Sequence, residues 1–126
     1  MIDIRKQIEY WRNGAQEDWQ VANELVELKR TRHGLFFAHL ALEKMLKAHV
    51  CRVTNNLAPK IHNLVRLAEL TKLLFLEAQW DFIADFDQYQ LEGRYPDKLP
   101  TPLTKNKAQA ELKKLEELLA WLIKQF

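Results

Sequence analysis

The sequence contains no serine, a single cysteine, only three glycines and only four prolines. Each shortage excludes something. Without serine there is no serine nucleophile and no Ser-His-Asp arrangement. One cysteine, Cys51, allows no internal disulfide and no cysteine-based metal site. Three scattered glycines cannot build a glycine-rich phosphate loop. So few glycines and prolines argue against many short strands joined by turns and favour long helices. No stretch approaches the ~18 consecutive apolar residues of a membrane span, and the opening "MIDIRKQIEYW" alternates charged and apolar residues instead of forming a signal-peptide core. The expectation is a protein of the reducing cytoplasm without a membrane segment. A net charge of +2 is too small to indicate nucleic acid by itself.

What is present is helical periodicity. The chain of 126 residues is 48% hydrophobic and 29% charged, which suits one globular domain spanning 1–126. Ile4, Ile8, Trp11, Ala15, Trp19, Ala22 and Val26 recur at steps of three or four and predict a first helix from about Asp3 to Lys29. "KRTRHG" interrupts the pattern and places His33 in a turn. Leu35 to Val53 follows as a second helix, on which Glu43 and Lys47 stand four apart in the order that favours an exposed ion pair. "TNNLAPK" ends that helix. A short helix from about His62 to Leu70, a fourth from Glu77 to Leu91 and a last one from about Thr104 to Phe126 complete the chain. The fold class is all-α: an up-and-down four-helix bundle with an additional short helix. Apolar faces wider than one seam suggest a homodimer.

The chemistry-bearing residues are few. His33, His39, His49 and His62 show neither the His-x-x-x-His nor the Glu-x-x-His spacing of a helical metal site, so no metal and no cofactor are expected. Cys51, late in a helix, reads as a half-buried, inert thiol. The loop "EGRYPDKLPTPLTKN" is the longest irregular stretch. Within it Arg94 offers a planar fork for phosphate, Tyr95 a ring for stacking, and Asp97 a carboxylate to orient the arginine. Packing of Tyr95 and Pro96 onto the bundle is the plainer account of the same residues. Lys44 and Lys47 share a helix face and could form an anion site with His62 or Arg94. An ordinary solvated face is the plainer account here too. His62, beside Pro59 and at a helix onset, is read as a residue that caps or anchors the third helix, with an anion contact as the sharper alternative.

Three segments in order, "FFAHLALEKMLKAHV", "PKIHNLVRLAEL" and "GRYPD", resemble the HEPN domain family. The family's Glu-Lys-x-x-Lys-Ala is matched by Glu43, Lys44, Lys47 and Ala48. Its His-x-Leu is matched by His62 and Leu64, and its Arg-Tyr-Pro by Arg94, Tyr95 and Pro96. The opening "YWRNGAQEDWQVANELVE" is similar to the family's first helix at Trp11, Ala15, Asp18 and Ala22. The resemblance implies a dimeric helical bundle that binds a nucleotide, RNA or a partner. It also implies a minimal nucleotidyltransferase as that partner, in a toxin–antitoxin-like two-component system. On this reading Lys44, Lys47, His62, Arg94 and Tyr95 would meet the nucleotide and its phosphates, while Glu43 and Asp97 would be structural. Many family members are instead metal-independent RNases whose Arg and His lie late in the chain, with four to six residues between them. No histidine follows Arg94 here. Arg32 and His39 match that spacing, but at the start of the second helix. The expectation is therefore no catalytic residue, with Arg32 and His39 as the weak alternative for an RNase toxin and a non-catalytic dimeric adaptor as a further one.

Overall fold

The computed structural model describes residues 2–91 and 101–126. The chain folds into α1 (Ile4–Glu27), α2 (Thr31–Thr54), α3 (Leu64–Leu70), α4 (Glu77–Phe86) and α5 (Lys105–Lys124). A single 3-10 turn, Asp87–Tyr89, extends α4. The expected helical bundle is present, and among the described residues there is no strand. Four of the five onsets have a local side-chain cause. Asp3 accepts a hydrogen bond from the amide of Lys6, Asn63 from that of Arg66 and Thr104 from that of Lys107, so three helix starts carry a side-chain cap. The side chain of Gln79 reaches back to the amide of Leu76 ahead of α4.

Three boundaries differ from the periodicity, one of them the end of α4, which stops at Phe86 and passes into the 3-10 turn short of the expected Leu91. The break between α1 and α2 is confined to Leu28–Arg30, where Lys29 takes a left-handed φ of 66°. His33 and Gly34 therefore belong to the first turn of α2, not to a turn. Gly34 is buried against α1: a Cβ there would lie 2.5 Å from Val26 Cγ2 and 3.1 Å from the carbonyl oxygen of Ala22. Asn63, not His62, caps α3. Asn55, also left-handed with a φ of 52°, closes α2, as the "TNNLAPK" loop suggests.

Contacts fix the directions. Gly34 meets Val26, Lys44 meets Asp18 and Lys47 meets Trp11, so α2 runs antiparallel to α1. Thr31 bonds to Leu103 and His49 to Leu122, so α5 runs parallel to α2. Phe75, just before α4, packs on Trp121. Farther along α4, Phe82 faces Lys114 and Leu118 across a cleft, so α4 opposes α5. Helix α2 is the centre of the bundle, buried on nearly every angle, from Leu35 and Ala38 through Leu42, Leu46 and Val50. Around it Ala15, Ala22 and Val26 of α1, Leu64 and Leu67 of α3, Ile83 and Phe86 of α4, and Leu112, Leu115 and Leu122 of α5 close one core. Ala84 of α4 faces outward.

Candidate functional site

A helix buried all round should carry few polar side chains, because each must find partners away from water. Helix α2 nevertheless buries His39, Glu43, Lys47 and His49. The first three recur at steps of four and so line one face. Glu43, at 3% exposure, is the hub. Its Oε2 accepts from Lys47 Nζ at 3.2 Å and from His62 Nδ1 at 3.0 Å. The pair read as exposed is thus buried, and Lys47 Nζ lies 5.1 Å from the centre of the Trp11 ring. His39, wholly buried, points Nε2 at Asp87 Oδ1, 2.9 Å away. A carboxylate accepts, so the hydrogen of this bond sits on Nε2. Asp87 also accepts from Asn63 Nδ2 and from the amide of Leu64, tying the 3-10 turn to the start of α3.

Aspartate, imidazole, glutamate and imidazole therefore alternate from Asp87 through His39 and Glu43 to His62. One joint is loose. His39 Nδ1 and Glu43 Oε1 are 3.8 Å apart, both buried, and neither has a hydrogen-bond partner among the described residues. An unmatched buried pair of this kind is costly to hold. At the outer end the side chain of His62 is 57% exposed. Its Nδ1 is engaged by Glu43, so Nε2, on the far side of the ring, is the position left for solvent or a ligand.

The family model for the HEPN domain matches residues 8–126. The chain belongs to the HEPN domain family. Membership gives this HEPN domain a general nucleotide- or RNA-related role, and HEPN domains commonly dimerise. A crystal structure of TT1696 from Thermus thermophilus is similar in fold, with a TM-score of 0.77 and 22% identity over 95% of this chain and 98% of that one. No curated protein matches the sequence.

Of the residues expected at the site, this HEPN domain brings His62, Lys47 and Glu43 into one cluster. Lys44 faces elsewhere: its Nζ is 2.7 Å from Asp18 Oδ2, with its stem beside Gly14 of α1. Arg94, Tyr95 and Asp97 lie outside the described residues. Arg32 stands near the returning chain at Thr101–Leu103, two helical turns before His39. His39 is closed to solvent in this conformation. Sequence reasoning missed Asp87, Trp11 and Asn63 as members of the cluster. The available hint was that His39, Glu43 and Lys47 share an i, i+4 register on a helix rich in apolar residues.

The second buried histidine of α2 has other neighbours. His49 Nε2 donates to the carbonyl of Leu122 at 2.8 Å, and its Nδ1 accepts from Arg52 at 3.4 Å. Its ring stacks on Phe126 at 3.7 Å, with Arg12 over the outer face of that ring. Burial, partly opposed by the Leu122 carbonyl and reinforced by Arg52 and Arg12, lowers its pKa to about 4. The Cys51 thiol is buried and its pKa is pushed up, chiefly by that burial, which fits an inert thiol. Among the described residues no three His, Cys, Asp or Glu side chains are grouped to hold a metal ion. No helix of the described residues is long and apolar enough to cross a membrane.

Proposed function

We propose that this HEPN domain is a cytoplasmic, homodimeric nucleotide- or partner-binding protein. In this reading it works beside a minimal nucleotidyltransferase in a toxin–antitoxin-like pair. His62 meets the ligand at the mouth of the Glu43 cluster, Lys47 lends its charge from behind it, Lys44 adds charge from the same helix, and Arg94 and Tyr95 contact phosphate and base. The observation that carries the reading is the half-exposed His62 backed by a buried Glu43–Lys47 pair, in a chain whose family is nucleotide- and RNA-related. Exposed leucines at Leu74 and Leu76 are compatible with a covered face in a dimer. Calorimetric titration with ATP and GTP is the test. Binding should be detected and should weaken at least about tenfold in Arg94→Ala, as expected when an arginine–phosphate contact is lost. Heat that is absent, or that is unchanged by the substitution, refutes the reading.

A specific observation favours a second reading. Lys44, Lys47 and His62 each already meet a carboxylate, Asp18 or Glu43. In a non-catalytic adaptor these residues would only knit the bundle together. Arg94→Ala would then lower thermal stability without altering any ligand isotherm. The RNase alternative requires Arg32 and His39 to reach RNA, which the burial of His39 opposes. Cleavage of RNA in EDTA that disappears in His39→Ala would restore it.

A further inference from the structure

We propose that His62 is a phosphoryl-accepting nucleophile that reacts through Nε2, with Glu43 as its positioning residue. Three observations carry the inference. The Nδ1 of His62 is 3.0 Å from a carboxylate oxygen, so the ring hydrogen on that side is committed to Glu43. Glu43 is itself buried and held by Lys47, so the carboxylate does not wander. The His62 side chain is 57% exposed, whereas Glu43 behind it is 5% exposed, so a donor reaches the imidazole but not the carboxylate.

Together these settle which nitrogen can react. When Nδ1 carries the hydrogen, the lone pair of the neutral ring is at Nε2, on a side chain that is more than half exposed. An imidazole nitrogen is a competent nucleophile when its lone pair is free and the charge that develops on the ring is compensated. Attack by Nε2 on phosphorus forms an N–P bond, and the bond from phosphorus to the leaving group breaks with its electron pair. The ring becomes cationic and keeps its Nδ1 hydrogen, now in a charge-assisted bond to Glu43. The donor class is a phosphoric anhydride or another phosphoryl compound with a good leaving group. The inference does not depend on nucleotide binding, because a small donor needs no nucleotide pocket.

The test uses phosphoramidate, from which ammonia departs as the P–N bond breaks. The full-length protein is treated, and each histidine is followed by mass spectrometry under alkaline conditions, with NMR to assign the nitrogen. His33, exposed in the first turn of α2, is the internal reference within the same molecule. His62 should be labelled at Nε2 about tenfold faster than His33, the effect of one strengthened charge-assisted hydrogen bond. Glu43→Gln should bring the ratio close to one. Equal labelling of His62 and His33 in the unaltered protein, or an adduct on Nδ1, overturns the proposal whether or not the Glu43 variant folds. A ratio undiminished in a folded Glu43→Gln protein, checked by circular dichroism, removes Glu43 from it. Nucleotide titration and phosphoramidate labelling can each fail alone, so the two readings are separable.

Discussion

His39 and His49 are the same residue type on the same helix, both wholly buried, yet their surroundings are electrostatic opposites. His39 lies between two carboxylates, Asp87 and Glu43. His49 lies between a carbonyl, an arginine and an aromatic ring that carries a second arginine. At His49 both ring nitrogens are satisfied by one neutral tautomer, and any added proton would meet Arg52 and Arg12. At His39 one nitrogen is bonded and the other faces an unpaired carboxylate oxygen across 3.8 Å. A closed arrangement is what packing alone requires of a core histidine. An arrangement with unmatched groups and a path to the surface through His62 is costlier than packing requires, and costly polar placements concentrate at functional sites. The contrast marks the cluster from Asp87 to His62 as the place to look for function and the surroundings of His49 as structural.

The largest expected effect comes from Glu43→Ala, which leaves Lys47 buried without its carboxylate. Removing one partner of a buried ion pair costs about 3–5 kcal/mol, and thermal or denaturant unfolding measures it. Replacing both partners, Glu43→Leu with Lys47→Met, should recover most of that loss, because well-packed apolar residues often equal or exceed a buried pair in stability. A double variant that is stable but has lost ligand binding or His62 labelling would show that the charges serve function. A single variant that costs less than ~0.5 kcal/mol, the scale of an ordinary surface change, would remove the distinction between the two histidine sites of α2.

Acid probes the other histidine. The native pKa of His49, about 4, lies below the ordinary 6.5, so between these values the unfolded chain binds more protons than the folded one. The stability associated with neutral His49 is fully present above pH 6.5 and is lost as the pH falls toward 4. The loss reaches about 3 kcal/mol, from 1.36 kcal/mol for each unit of separation. His49→Gln keeps an N–H for the Leu122 carbonyl but cannot titrate. Denaturant melts at pH 7, 5.5 and 4 should therefore show the gap between the two proteins narrowing as the pH falls. A constant gap would mean that the buried imidazole is not what acid attacks.

Much of this architecture was legible from spacing, because burial imposes a period. The stripes on α1 and α5 and the loop closed by Asn55 follow from apolar periodicity and breaker residues. The boundary between α1 and α2 was not, since Lys29 adopts a left-handed φ that glycine ordinarily supplies, and Gly34 looked like the breaker. Gly34 instead serves close approach to Val26. The Glu43–Lys47 pair was visible by its spacing but misassigned to the surface, because an i, i+4 pair reads the same on either side of a helix. The partnership of His39 with Asp87 joins residues 48 positions apart. Periodicity says which face a residue occupies, not which polar group it meets across the core. For Arg94, Tyr95 and Asp97 only the sequence pattern speaks.

The smallest effects test how closely α1 and α2 approach at the two glycines. At Gly34 an added methyl would sit 2.5 Å from Val26 Cγ2 and 3.1 Å from backbone atoms of Ala22 and Val26, so the helices must separate. Gly34→Ala should cost about 1–3 kcal/mol, the usual penalty for overpacking, despite alanine's better helix propensity. At Gly14 the nearest atom is Lys44 Cδ at 3.1 Å, part of a flexible stem whose amine is only partly buried. That stem can shift, so Gly14→Ala should change stability by no more than ~1 kcal/mol, with the helix-propensity gain offsetting the crowding. Paired denaturant melts of the two variants read the difference directly. A Gly14 variant that loses as much as the Gly34 variant would show that the Lys44–Asp18 pair is held as rigidly as the buried Glu43 cluster.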